Sequence, residues 1–282
     1  MQTGSDTVKE LLSWGRETLR DQAAGGLEAE LLLAHALQTS RAWLFANNSD
    51  TPFHEHCESY RTLVQRRQTG EPLSYLTGIR EFWSMPFRVT PDVLIPRPET
   101  ELLVETALEL IPEKQAYRIA ELGTGSGAVA IAIASERPAC DIHASDISQA
   151  ALEVARKNEQ TLTPGRVTFH QGSWLEPLSG KFRLIVSNPP YVAEDDPHLN
   201  RGDCRFEPRI ALTPGDDGLE AIQHIASGSV PCLASNGCLA FEHGYDQGDE
   251  CRQILERYGY VDIETRKDLE GRDRVTLGFM KS

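Results

Sequence analysis

The stretch Glu121-Leu122-Gly123-Thr124-Gly125-Ser126-Gly127-Ala128 lies between an apolar run, Tyr117 to Leu122, and a run of alanine, valine and isoleucine that reaches Glu136. The first run reads as a strand and the second as a helix, so the glycines form the turn of a strand–turn–helix unit. Glycine lets the backbone turn sharply and lets a ligand approach the peptide plane, while the free N–H groups of the helix start face that ligand. The alternation continues on both sides. A helix beginning at Pro98 carries Leu102, Leu103, Ala107 and Leu110, and strands are expected at Ile142 to Ser145, Val167 to His170, Phe182 to Val186 and Cys238 to Phe241. Helices are expected around Ala151 to Ala155, from Gly218 to Ile225 and from Gln247 to Tyr258. Strands that alternate with helices predict an α/β fold with a parallel sheet and right-handed crossovers. The last two candidate strands, Tyr260 to Arg266 and Arg274 to Phe279, have no helix between them and should pair as an antiparallel hairpin at one sheet edge.

The glycine loop alone does not select a ligand. Gly123, Gly125 and Ala128 satisfy the dinucleotide fingerprint, whereas the lysine of a phosphate-cradling P-loop is missing, which argues against nucleoside triphosphate hydrolysis. Asp146 closes the next strand, where it can accept hydrogen bonds from both ribose hydroxyls or cap the following helix. Trp174, after the third strand, can stack on an adenine or serve as one more core aromatic. Asn188-Pro189-Pro190-Tyr191 emerges at the carboxyl end of the strand Phe182 to Val186. A polar amide, two residues without a backbone donor and an aromatic ring suit a flat, hydrogen-donating substrate group. A dehydrogenase would need a proton donor there. The tetrapeptide serves methyl transfer from S-adenosylmethionine to a planar nitrogen instead, with a protein amide and the adenine amino group both open as acceptors.

The rest of the chain has a different texture. Leucines at helical spacing through residues 1 to 76 read as a small helical bundle, with Thr51-Pro52 opening a helix that carries Phe53, Cys57, Tyr60 and Val64 on one face. His54 and His56 are two residues apart, which points them to different faces of that helix and argues against a metal site. Between 77 and 97, alternating apolar residues punctuated by glycine and proline predict a hairpin linker, in which Arg97 sits between two prolines. Residues 193 to 216 form a polar, proline-rich stretch too long for an ordinary connector, the kind of loop that carries function. A net charge of −14 repels phosphate backbones, so no direct nucleic-acid binding is expected. The six cysteines are scattered without a C-x-x-C pair, and no stretch is apolar enough for a signal peptide or a membrane helix, which fits a cytoplasmic protein that makes no membrane contact.

The glycine loop with its downstream acid resembles the class I S-adenosylmethionine-dependent methyltransferases, and Asn-Pro-Pro-Tyr resembles the subset that methylates planar nitrogens. Further runs, among them Gly78-Ile79-Arg80-Glu81-Phe82-Trp83, Ile95-Pro96-Arg97-Pro98-Glu99-Thr100-Glu101, Arg205-Phe206-Glu207-Pro208 and Glu242-His243-Gly244, are similar to the bacterial peptide chain release factor N5-glutamine methyltransferases, the PrmC or HemK family. The resemblance covers nearly the whole chain. It implies a Rossmann-like seven-stranded methyltransferase sheet with an antiparallel C-terminal hairpin over residues 98–282, plus a small N-terminal helical bundle, residues 1–76, that docks the substrate. It implies S-adenosylmethionine as cofactor and the glutamine of the Gly-Gly-Gln motif in class I release factors as substrate. By position, Gly123, Thr124, Gly125, Ser126 and Gly127 line the methionine end of the cofactor, Asp146 holds the ribose and Trp174 lies beside the adenine. Asn188 lies between cofactor and substrate, and Asn188, Pro189, Pro190 and Tyr191 hold the glutamine. On this reading Asn188 Oδ1 and the Pro189 carbonyl each accept one amide N–H, while Tyr191 packs on the amide plane and excludes water. Glu121 stands where the family commonly has aspartate, and Ser173 where it often has aspartate before an aromatic.

Overall fold

The computed structural model describes residues 6–281. They form two compact units that divide after Gly78. The first contains α1 (Val8–Thr18), α2 (Gly25–Ala36), α3 (Arg41–Ala46), α4 (His54–Gln68) and α5 (Leu73–Thr77). Thr7 and Glu10 form a capping box that satisfies the first N–H groups of α1. Leu11, Leu12, Leu19, Leu32, Leu33, Tyr60 and Val64 make the core of this unit. Gly15 is needed where α1 crosses Tyr60, since a Cβ there would stand 1.8 Å from the phenol oxygen. Two sequence expectations shift. α4 starts at His54, so Phe53 stands at the N-cap, outside the helical turns that align Cys57, Tyr60 and Val64, and is 78% exposed. In α2 the buried face runs through Ala29, Leu32, Leu33 and Ala36, which leaves Leu27 exposed.

The second unit opens with a two-stranded hairpin, β1 (Ile79–Phe82) and β2 (Met85–Arg88). Its two-residue turn, Trp83-Ser84, has positive φ at both positions, the twist that two-residue hairpins require but a strained one for residues with a Cβ. Hydrogen bonds from the Trp83 backbone N–H to Glu101 (2.8 Å) and from its indole N–H to Glu136 (3.1 Å) hold the turn in place. The main sheet is built from β3 (Arg118–Leu122), β4 (Asp141–Asp146), β5 (Val167–Gln171), β6 (Phe182–Ser187), β7 (Leu233–Glu242), β8 (Val261–Lys267) and β9 (Asp273–Phe279). Their order is β5-β4-β3-β6-β7-β9-β8. The first five are parallel to one another, β9 runs antiparallel to β7, and β8 pairs antiparallel with β9 at the far edge, as the missing crossover helix predicts. Helices α6 (Glu101–Leu110), α7 (Ala128–Glu136), α8 (Gln149–Leu162), α9 (Glu220–Ser229) and α10 (Gly248–Arg257) cover the sheet, with a 3-10 turn at Pro98–Thr100 leading into α6.

Side-chain alternation along the strands divides the core in two. Ile119, Leu184, Val186 and Ala240 pack with α6 and α7 on one face, while Ala120, Leu122, Ile185 and Leu239 pack with Ile222, Ile225 and Leu255 on the other. α7 is apolar all round and buried from Ala128 to Ala134. The hairpin belongs to the first of these cores. Phe82 and Phe87 meet edge to face, with centroids 6.0 Å apart, and both are buried among α6 residues such as Leu103. β2 is also tied to α8, because Asn158 accepts from the Arg88 N–H (2.7 Å) and donates to its carbonyl (3.0 Å). The hairpin therefore packs as part of the second unit. Phe87→Ala should lower unfolding free energy by about 3–5 kcal/mol, the usual cost of emptying a buried phenylalanine site. Denaturant unfolding would read that loss, and a change below about 1 kcal/mol would mean that the hairpin is a loosely attached connector.

Candidate active site at the carboxyl edge of the sheet

After β3 the chain crosses first to β4 and β5 on one side, then returns to β6 and β7 on the other. The carboxyl ends of β3 and β6 thus flank the topological switch point, where open α/β sheets leave a crevice. Register pairs Leu122 with Ser187, so the two segments that leave these strands, the glycine loop and Asn188-Pro189-Pro190-Tyr191, start side by side. A Ser187 Oγ hydrogen bond to the Leu122 carbonyl (2.7 Å) fixes that junction. The cavity here has a volume of about 460 Å³, within the range of small-molecule sites. Gly123, Thr124, Gly125, Ser126, Asp146, Trp174, Asn188 and Pro190 lie on its wall. Gly127, Pro189 and Tyr191 do not.

Backbone geometry explains the glycines. Gly123 and Thr124 both donate to the Ser145 carbonyl, at 2.9 and 3.0 Å, which carries the loop across the end of β4. Gly125 has φ +54°, and a Cβ there would meet nothing within 4 Å, so this residue faces open space. Gly127 serves packing rather than the wall: at φ +83° a Cβ would stand 2.9 Å from Ile131 and 3.3 Å from Ala155, where α7 and α8 come together. Asn158 donates to the Ser126 carbonyl (2.8 Å), so the residue that anchors the hairpin also anchors the glycine loop.

Two acids stand under the loop, Glu121 buried and Asp146 half-buried. Asp146 accepts from the Gly125 N–H through Oδ2 and from the Ser148 N–H through Oδ1, each at 2.8 Å. The N-cap of α8 is Ser148, whose hydroxyl accepts from the Ala151 N–H, so Asp146 is not spent as that cap. Burial pushes the Asp146 carboxyl up, and its backbone hydrogen bonds hold it partly down. Glu121 accepts from the Thr124 hydroxyl (2.5 Å) and the Ala130 N–H (3.1 Å). Burial pushes this carboxyl up to about 8, against those two hydrogen bonds and with help from the charge of Asp146. Trp174 adopts φ +46°, a strained value for a tryptophan, and its carbonyl accepts from Ser145 Oγ at 2.6 Å. Its ring would lie 3.2 Å from a Cβ on Gly123, which makes glycine necessary there for space as well as for φ.

At the tetrapeptide, Asn188 Nδ2 donates to Thr100 Oγ1 at 3.0 Å. Tyr191 turns its hydroxyl away from the cavity to donate to Glu242 Oε1, also at 3.0 Å, and its carbonyl accepts from Gln247. Burial raises the Tyr191 hydroxyl well above its ordinary range, and the neighbouring Glu242 charge adds to the rise. Thr100 and Glu242 were not assigned roles from sequence, although both lie in runs that carry the family resemblance. A signal was available for Glu242: it is an acid that closes an apolar strand at the sheet's carboxyl edge, as Asp146 does.

The cavity continues along Arg97, Pro208 and Ile210. Arg97 forms an ion pair with Glu207, whose other oxygen accepts from the Ile95 N–H at 3.0 Å. Burial pushes the Glu207 carboxyl up while the Arg97 charge draws it down. With Leu199 and Leu212 also buried, this pair fastens the long polar stretch to the segment before α6. Arg97 is therefore more than a rigid connector: it builds a wall of the site.

Family models for the PrmC N-terminal domain and the methyltransferase small domain match residues 10–78 and 98–202. The release factor glutamine methyltransferase of Xylella fastidiosa (strain Temecula1) is 48% identical over 89% of this chain and 92% of its own length. That of Escherichia coli K12 is 45% identical over 94% of this chain and 97% of its own. Among solved structures, a methyltransferase from Pyrococcus furiosus superposes with a TM-score of 0.55 at 16% identity over 79% of this chain and all of its own, a likeness of fold. Two relatives so similar over nearly their full lengths, with both family models in register, show that the chain belongs to the release factor glutamine methyltransferase family.

Proposed function

We propose that this protein transfers a methyl group from S-adenosylmethionine to the side-chain amide nitrogen, N5, of the glutamine in the Gly-Gly-Gln motif of class I peptide chain release factors. The observation that carries the reading is the placement of Asn188 one strand from the glycine loop, with its Nδ2 engaged by Thr100. Asn188 lies on the cavity wall with Nδ2 engaged, which leaves Oδ1 as its acceptor for a ligand. The relatives' shared name supports the release factor as partner, and the helical first unit is read as the surface that docks it.

The wall residues fit the cofactor. Gly123 to Ser126 offer backbone approach without side-chain obstruction at Gly125, and Asp146 keeps unused lone pairs beside its two backbone bonds for a ribose diol. The Trp174 indole gives a flat apolar surface for a base. When bound, S-adenosylmethionine supplies an electrophilic methyl on a positively charged sulfur, which keeps the electron pair of the broken bond. The chain's own residues then act on the glutamine. An amide nitrogen is a poor nucleophile because its lone pair is delocalised into the carbonyl, and positive charge grows on it as the new bond forms. Asn188 Oδ1 accepts one N–H, which orients the nitrogen and stabilises that charge where it develops, whereas Pro189, expected to offer its carbonyl to the other, is buried off the cavity wall. No strong base is needed, since the surplus proton is acidic once the nitrogen carries four bonds and leaves to water. Tyr191 shapes this turn from beneath, through its bonds to Glu242 and Gln247.

Incubation with a release factor and labelled methyl donor, followed by mass spectrometry of the Gly-Gly-Gln peptide, tests the reading: one added methyl on the glutamine supports it, and an unmodified peptide at full cofactor occupancy overturns it. Asn188→Ala should keep the fold and lower kcat by about 10²–10³, the loss seen when one oriented hydrogen-bonding partner of a developing charge is removed. Turnover near wild type would remove Asn188 from the mechanism.

Glu121 gives a pH prediction for the unliganded protein. Its folded value of about 8 lies above the ordinary 4.5, so between these limits the folded state holds a proton that the unfolded state has lost. Its share of stability is full below pH 4.5 and declines as pH rises through 8. Glu121→Gln should flatten that decline in denaturant midpoints measured across the window. A variant that keeps the wild-type slope would place the titration elsewhere.

A further inference from the structure

We infer that Ser145 is a positioning residue for the base end of the cofactor site, whose hydroxyl holds the turn that lays the Trp174 indole beside the glycine loop. The inference rests on the reading of Trp174 as the surface that receives the adenine. Ser145 is the last but one residue of β4, next to Asp146, and is fully buried. Its carbonyl accepts from the Gly123 N–H at 2.9 Å and the Thr124 N–H at 3.0 Å, while its Oγ donates to the Trp174 carbonyl at 2.6 Å. One residue thus holds both the loop and the tryptophan.

The turn needs that hold. The Glu176 N–H donates to the Ser173 carbonyl at 2.9 Å, so residues 173 to 176 make a four-residue turn with Trp174 and Leu175 at its centre. Trp174 has φ +46° and Leu175 is not among the residues with positive φ, the sign pattern of a type II′ turn, which favours glycine where Trp174 stands. A Cβ there is strained, so the relaxed alternative is a turn with Trp174 at negative φ. That change re-aims the Trp174 carbonyl and carries the Cβ and the ring with it. Among the described residues the Ser145 bond is the one hydrogen bond this carbonyl receives, and it reaches across 29 residues of chain. The segment is already attached to β4, since the Gly172 N–H donates to the Asp146 carbonyl at 3.0 Å. What the Ser145 hydroxyl adds is the direction of the turn.

The ring it directs is closely placed. It would stand 3.2 Å from a Cβ on Gly123, and Gly123, Ser173 and Trp174 all lie on the cavity wall. Contact between flat groups is short-ranged, and a gap of about 0.5–1 Å already forfeits a quarter to a half of the attraction. A base therefore gains from the indole only while the turn keeps its hand. The methyl-transfer end lies elsewhere, because Asn188 follows β6 and β3 stands between β4 and β6. Ser145 thus acts on the binding of the base and leaves the chemistry at Asn188 alone.

Ser145→Ala removes the hydroxyl and keeps the carbonyl that holds Gly123 and Thr124. Calorimetry with S-adenosylhomocysteine should show Kd raised about 3–10-fold, the span of one net hydrogen bond. In turnover with S-adenosylmethionine and a release factor, KM for the methyl donor should rise to match, while kcat and KM for the release factor stay at the wild-type values. In a Trp174→Ala background, where there is no ring to aim, Ser145→Ala should change Kd by less than about twofold. An unchanged Kd in Ser145→Ala, the same loss with and without the indole, or a fall in kcat would overturn the proposal. Trp174→Ala by itself separates the two readings: wild-type affinity there removes the base from Trp174 and the positioning role with it, whereas weak binding in Trp174→Ala beside wild-type binding in Ser145→Ala removes only the positioning role.

Discussion

Pairing of β3 with β6 is the constraint on which the site depends. Parallel strands carry their following segments out of the same edge of the sheet, and the Leu122–Ser187 register brings the glycine loop and Asn188 out as neighbours. A slip of one residue would turn each side chain to the opposite face and send Ile119 and Leu184 out of their shared core. The apolar alternation that buries both faces of the sheet therefore also sets the juxtaposition of donor and acceptor elements, and stability and site geometry share one determinant. Asn158 extends the link. By bonding Arg88 and Ser126 together, it makes the hairpin's packing a condition of the glycine loop's position.

Around this junction the chain buries three carboxylates, Glu121, Glu207 and Glu242, half-buries a fourth, Asp146, and treats each differently. Glu207 has a cation, Arg97, and holds a loop in place. Asp146 has two backbone N–H groups and lies on the cavity wall with acceptor capacity left. Glu121 and Glu242 have only neutral hydrogen-bonding neighbours, Glu242 with the charge of Arg274 besides, so burial dominates and raises both. Removing charge from water without close compensation costs stability, and such groups gather where function uses their field.

Much of the fold was legible because periodicity reports which faces are buried. β3, β4, β5 and β6 fall within a residue of their expected limits, and the antiparallel pair follows from a missing crossover. The glycine loop, Asp146, Trp174 and Asn188 were legible since each closes or follows an apolar strand, and the structure brings them to one cavity. What sequence did not disclose was pairing at long separation. Arg97 and Glu207 are 110 residues apart, and Asn188 and Thr100 are 88 apart. Nothing local marks such partners. Phe53 shows the converse limit: an apolar residue at helical spacing says nothing of burial when the helix starts one residue later. Tyr191 was expected against the substrate plane, but its hydroxyl, once buried, needs an acceptor, and Glu242 supplies one away from the cavity.

The arrangement also explains why acceptors and buried acids, rather than a base, dominate a site of this kind. Methyl transfer from a sulfonium to an amide moves positive charge onto nitrogen and creates no oxyanion, so catalytic gain comes from negative potential that is already oriented when the substrate arrives. A general base would need a proton to remove before the bond forms, yet the amide becomes acidic only afterwards. Rigid acceptors avoid that mismatch. Asn188 is held from the side by Thr100 and adjoins two prolines that fix their own φ, so it has little freedom to lose on binding. The cost is shifted beneath the site, to carboxyls whose burial opposes ionisation, and there it is offset by the core that the same strands build.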